Sequence, residues 1–262
     1  MRGMRVAAAV VALGAGTASG QTLYGVSNFG NFRTQVLVQI DTTTGAATPV
    51  GDTGLERIAD IAYDRGMGVM YALTTGADLY TLDLATGAST LVASNTGVLP
   101  EGGLTFDASM GRLLANSSTD LLGVHTATAA RTTIGAFNTT DTDVSGLAFD
   151  ASGRLLGLAK NGTLSDTLLS IDLSTGQATL VGDTGVSSAA SVGGLAFYDG
   201  TLFMSDGGAL WSLDAATGAA TYIGAHGVVA VTDVSGIAFI PAPGAGALLA
   251  LAGVVVSRRR RA

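Results

Sequence analysis

No cysteine occurs among the 262 residues, which excludes disulfides, thiolate metal sites and thiol nucleophiles. Stability must therefore come from packing and from closure of the backbone hydrogen bonding. Charge is scarce as well, at 13% of residues. The basic groups gather at the extremes, Arg2 and Arg5 at one end and Arg258 to Arg261 at the other, leaving seven between them against 20 acids. A body with a formal charge near −13 lacks the positive footprint that phosphate neutralisation requires, which argues against nucleic acid and anionic lipid surfaces as partners. Histidine occurs only at 125 and 226, with no His-Glu-x-x-His spacing, and Gly-x-Ser-x-Gly is missing too. Zinc-protease and serine-hydrolase signatures are thus absent. No helical period is evident outside the termini, so phosphate-binding loops that lead into helices are also excluded.

What is present is a repeat. A strand of alternating small and large residues recurs as Ile61-Ala62-Tyr63-Asp64, Leu104-Thr105-Phe106-Asp107, Leu147-Ala148-Phe149-Asp150, Leu195-Ala196-Phe197-Tyr198 and Ile237-Ala238-Phe239-Ile240. A period near 45 residues with short strands predicts an all-β, five-bladed β-propeller of four antiparallel strands per blade. The first unit lacks its own opening strand and the last segment supplies a surplus one, so the C-terminal strand is expected to close the first blade and hide both edges. Glycine is abundant, with 38 residues, and 47% of the chain is hydrophobic, enough for one sizeable core.

A second signature places an aspartate four residues ahead of a glycine: Asp41 and Gly45, Asp83 and Gly87, Asp172 and Gly176, Asp214 and Gly218. The carboxylate can accept from the amides just ahead of it and glycine takes the positive φ of a tight hairpin, so this is a turn device on the third strand of each blade. In the third unit His125 and Ala129 occupy those slots, which reads as decay of one blade. In the inner strand, Leu147 and Phe149 face one way while Gly146 and Ala148 face the other, so bulky faces are expected to sit on flat ones.

The two ends read as addresses. Residues 1–20 combine Arg2 and Arg5, an apolar run from Val6 to Leu13 and small residues before Gln21, as a secretory signal peptide does. After the propeller at 21–240, residues 241–262 carry Pro241, Pro243 and Gly244, an apolar run from Ala245 to Val256, and then Arg258, Arg259, Arg260 and Arg261. Arginines resist translocation, whereas a run this short falls below the roughly 20 residues a lasting span needs. Transient membrane contact is expected.

This tail resembles that of the bacterial exosortase substrates with a PEP-type C-terminal sorting signal, with Ala242 where the commonest form has glutamate. The resemblance implies export, processing by signal peptidase and by an exosortase-type membrane protease, and delivery to the cell surface or extracellular matrix. Residues 23 to 240 resemble secreted bacterial propeller repeats whose units read as a Gly-Leu-Ala-Phe strand, a Leu-Tyr strand and an Asp-x-x-Thr-Gly hairpin, a group with many unrelated functions.

Functional residues are sought where the units disagree. Asp60 takes the slot held elsewhere by Gly103, Gly146, Gly194 and Gly236, and Arg57, Asp143 and Asp233 precede the inner strands, with Glu56 and Glu101 close by. These positions are expected to ring one mouth of the central channel. Asp60, Glu101, Asp143 and Asp233 are candidates for a weak Ca²⁺ site or for contacts to a polyhydroxylated ligand. The competing reading is a solvated acidic rim in which Asp60 pairs with Arg57. No other cofactor is expected. The function that follows is non-enzymatic binding or a structural role, with an extracellular polysaccharide or envelope component as partner. The alternatives are a glycoside hydrolase, for which Glu56 and Glu101 are the only glutamates, and a lectin, for which repeated polar and aromatic residues outside the turns are lacking.

Overall fold

The computed structural model describes residues 21–29, 34–94, 102–117, 119–138, 143–160, 165–187, 193–227 and 231–240, the side chains at 28, 29, 143, 231 and 232 excepted. The expected signal peptide at 1–20 and sorting signal at 241–262 lie outside these residues. Thr22–Phe29 (β1), Gln35–Ile40 (β2) and Ala47–Asp52 (β3) come first. Ile58–Asp64 (β4), Val69–Thr74 (β5), Leu79–Leu82 (β6) and Ser89–Ala93 (β7) make the second blade. The third consists of Leu104–Asp107 (β8), Arg112–Asn116 (β9), Asp120–Val124 (β10) and Arg131–Ala136 (β11). Asp143–Phe149 (β12), Leu155–Lys160 (β13), Thr167–Ile171 (β14) and Ala178–Asp183 (β15) form the fourth. The fifth holds Gly194–Tyr198 (β16), Thr201–Ser205 (β17), Ala209–Leu213 (β18) and Ala220–Ala225 (β19), and Val231–Ile240 (β20) ends the series.

Each set is one antiparallel four-stranded sheet, and β20 pairs with β1 to give the order β20-β1-β2-β3. Leu23 stands opposite Phe239 and Gly25 opposite Ile237. The architecture is a five-bladed β-propeller closed by its last strand, as the repeat predicts. Inner strands β20, β4, β8, β12 and β16 touch in turn around the ring. No helix occurs among the described residues. Every third-to-fourth strand pair contains one register shift, from Leu37/Val38 in the first blade to Leu210/Trp211 in the fifth. Such bulges sharpen the right-handed twist that turns each blade from the axis toward the periphery.

The core is divided among five clusters, each lying between two neighbouring blades. Phe239 of the first blade packs with Ala196 of the fifth, Tyr63 of the second with Ala238 of the first, Phe106 of the third with Ala62 of the second, and Phe197 of the fifth with Ala148 of the fourth. Leu147 and Phe149 both face the third blade. In those four seams the alternation in the inner strand lays the aromatic ring over the small residue of the preceding blade.

The turn device forms as expected. Asp41 Oδ1 accepts from the Thr43 and Thr44 amides at 2.8 and 3.0 Å, and Gly45 has φ +76°. Hydrogen bonds to the Ser174 hydroxyl and the Ser174 and Thr175 amides lower the equivalent Asp172 carboxyl to about 2. A Cβ on Gly45 would collide with the Gly224 backbone of the fifth blade, so glycine is needed for close approach as well as for φ. The third unit keeps this geometry with other residues. His125 Nδ1 accepts from the Ala127 amide at 3.3 Å, and Ala129 holds φ +52° with its amide 2.8 Å from the His125 carbonyl. Ala129 is buried in the seam, where its neighbour Ala93 fills the slot that Gly51 and Gly224 take in other blades. The expected decay is thus a matched replacement, with two alanines where the other seams have two glycines.

Candidate functional site

The inner strands converge at one end of the axis and diverge at the other, and side-chain size sets the difference. At the converging end Gly103, Gly146, Gly194 and Gly236 each lie so close to the next blade that an added Cβ would meet it. Asp60 fills the fifth slot and is fully buried. Its Oδ1 accepts from the Ile61 amide at 2.8 Å and its Oδ2 from the Leu104 amide at 2.7 Å, and the Ile237 amide also bonds to it. One carboxyl therefore ties the first, second and third blades together at the hub. Burial pushes its pKa well above the usual carboxylate range, against the pull of those three amides.

Arg57 is exposed with φ +57°, and the ion pairs of Arg112 with Asp107 and of Arg154 with Asp150 do not include it. Asp60 thus has backbone amides for partners rather than Arg57. Glu56 is exposed. Glu101 and the Asp143 side chain lie outside the described residues. Asp233 is half-buried, with Oδ1 shielded from solvent and lacking a hydrogen-bond partner. Burial raises its pKa, the Lys160 ammonium opposes the rise and Asp206 adds to it. No group of three or more His, Asp or Glu side chains among the described residues is arranged to hold a metal ion. His226 is buried at the seam between the fifth and first blades, its Nδ1 2.9 Å from the Gly45 carbonyl and its Nε2 2.9 Å from the Ser205 hydroxyl. It pins the closing seam and has no access to substrate.

The diverging end opens into a cavity of about 780 Å³. Its lining starts one residue beyond the hub in every blade, at Ile61, Leu104, Leu147, Leu195 and Ile237, whose side chains are buried in the seams. Small residues follow, and then a collar formed by Tyr63, Phe106, Phe149, Phe197, Tyr198 and Phe239. Five of these six keep part of their ring surface uncovered, and Phe239 is buried against Tyr198 and Phe203 at centroid distances of 5.0 and 5.4 Å. The inner strands leave the ring in turns that each begin with an aspartate: Asp64, Asp107, Asp150 and Asp199. Two of the four are neutralised. Asp107 Oδ2 lies 3.3 Å from Arg112 Nε, and Asp150 Oδ2 lies 3.0 Å from Arg154 Nε. At Asp150 burial works upward, but the Ser152 hydroxyl and Arg154 bring the net pKa shift below the ordinary value. Asp64 bonds the Gly66 and Met67 amides, and Val69 stands across from it where Arg112 faces Asp107. Asp199 is exposed, with φ +47°.

An aromatic collar and a sparse acidic rim suit noncovalent capture of a small group with an apolar surface. The sequence contains the signal for this cavity in the aromatic that precedes each inner-strand turn. In a linear reading those rings count only as packing, because the divergence that uncovers them arises from the ring.

No family model matches the chain, and no curated protein matches it. Solved structures resemble it in fold. A chain from a nidogen/laminin complex is 13% identical with TM-score 0.55, over 84% of this chain and 98% of that one. A Bacteroides thetaiotaomicron protein of unknown function is 15% identical with TM-score 0.53, over 85% and 67%. TolB from Acinetobacter baumannii is 13% identical with TM-score 0.50, over 86% and 68%. At these identities the likeness concerns the fold alone.

Proposed function

We propose that the chain is an exported β-propeller of the cell surface or extracellular matrix that acts by binding rather than by catalysis, with the cavity at the diverging end as its site. The observation that carries this reading is the cavity wall. Its collar is aromatic, and two of its four carboxylates are engaged by arginine. Glycoside hydrolysis calls for a proton donor facing a base or nucleophile across the bond, and two of the four rim aspartates are instead held by Arg112 and Arg154. An extracellular polysaccharide or an envelope component remains the partner class that export favours. Export and tail processing rest on the order of charge, apolar run and small or proline residues at the two ends.

Two experiments test the reading. A thermal-shift and calorimetric screen of small organic ligands and glycans should find stabilising ligands whose effect is lost in Phe106→Ala. Polysaccharide hydrolysis that disappears in Glu101→Gln would replace binding with catalysis. For export, mass spectrometry of the mature protein from a host carrying an exosortase should show loss of residues 1–20 and of the arginine tail; an intact chain in the cytoplasm would remove that part.

A further inference from the structure

We propose that the cavity is selective for a quaternary ammonium group, a compact cation with an apolar shell. This rests on the cavity being the binding site and adds the chemistry of what enters it. Charge is the first argument. Among the described residues the lining contains four carboxylates and a single cation, Arg65. Arg112 and Arg154 offset two of those carboxylates from outside the lining, and Asp64 and Asp199 have no such partner. The surrounding body carries a formal charge near −13 between the basic ends, so the mouth attracts cations and repels anions before any contact is made.

The second argument is what the wall offers at contact. Its side-chain hydrogen-bonding groups, apart from the rim carboxylates and Arg65, are the hydroxyls of Tyr63, Thr105, Ser109 and Tyr198, and the Ser109 hydroxyl already donates to Asp107 at 2.5 Å. No Asn, Gln, His, Lys or Trp takes part. A primary ammonium would leave N–H donors unpaired against the aromatic collar, at a desolvation cost. A quaternary ammonium has no N–H to satisfy. Its methyl groups suit the partly uncovered rings of Tyr63, Phe106, Phe149, Phe197 and Tyr198, and its charge suits their quadrupoles. Six aromatic side chains form one collar here, in an otherwise aromatic-poor chain with 6% Phe, Trp and Tyr.

Choline and its neutral carbon isostere 3,3-dimethylbutan-1-ol separate the two layers of the argument, because they match in shape and differ in charge. Calorimetry on the full chain at low ionic strength should give choline at least about tenfold tighter binding than the isostere. Asp199→Asn should weaken choline several-fold and leave the isostere unchanged, and Phe106→Ala should weaken both. Equal affinity for the two probes would overturn the cationic preference and leave the cavity as a plain apolar site. If neither binds, with folding verified by the thermal transition, the cavity reading fails together with the preference.

Discussion

The two ends of the propeller axis are built by the same five strands and behave in opposite ways. Where the inner strands begin, four glycines and one buried carboxyl let the backbones close together, and the ring is sealed. Three residues on, aromatic side chains hold the strands apart and leave about 780 Å³ between them. Taper is therefore written into a five-residue pattern that runs from no side chain, through a branched aliphatic and a small residue, to a ring and an aspartate. Residues that break the symmetry at the sealed end serve cohesion. The symmetric collar at the open end is what a ligand could meet.

The largest effect should come from the hub. Asp60→Ala leaves the Ile61, Leu104 and Ile237 amides without an acceptor, and denaturant unfolding should show a loss of about 3–5 kcal/mol. A ligand-site role for Asp60 would instead leave stability nearly unchanged. Next is an inter-blade seam, where Leu147→Ala should cost about 2–4 kcal/mol, since Leu147 is 1% exposed between the third and fourth blades. An unaltered midpoint would contradict close packing of that seam.

A smaller effect should depend on pH. Burial holds the His226 imidazole below its usual 6.5, with the Gly45 carbonyl and Asp206 opposing. The unfolded chain therefore binds the proton more readily, so this group's contribution is complete above pH 6.5 and fades as pH falls toward the depressed folded value. Asp60 and Asp233 are raised and contribute a slope of opposite sign. The informative measurement is thus the difference between the wild type and His226→Gln, which should grow in favour of the variant on acidification through that window; a constant difference would refute the linkage. The smallest change belongs to the open end. Asp199→Asn is exposed and should move stability by no more than about 0.5 kcal/mol while it alters choline binding.

Much of the fold is legible in the sequence because its signals are local and repeated. The inner-strand alternation, the Asp-to-Gly hairpin and the surplus last strand each reach the structure in the expected place. The site is less legible. Asp60 stands out in the alignment of units as a charge among glycines, which points to function, yet its depth depends on how five separate strands meet. The collar is the reverse case: Tyr63, Phe106, Phe149, Phe197 and Phe239 fit the repeat so well that packing explains them, and only closure uncovers the surface they share. His125 and Ala129 show a third kind of difference. Residue identity departs while backbone shape persists, since an imidazole nitrogen can accept the same amide as a carboxylate.

Closure by β20 also decides how the protein bears load. Thr22 stands directly across from Ile240, so the chain enters and leaves the propeller side by side on one antiparallel ladder. Tension applied between the two tails would open that ladder one pair at a time, as a zipper opens, instead of shearing all its hydrogen bonds together. The closing blade is accordingly the mechanical fuse of the ring, and a propeller tugged by its ends would yield there before any other blade gives way.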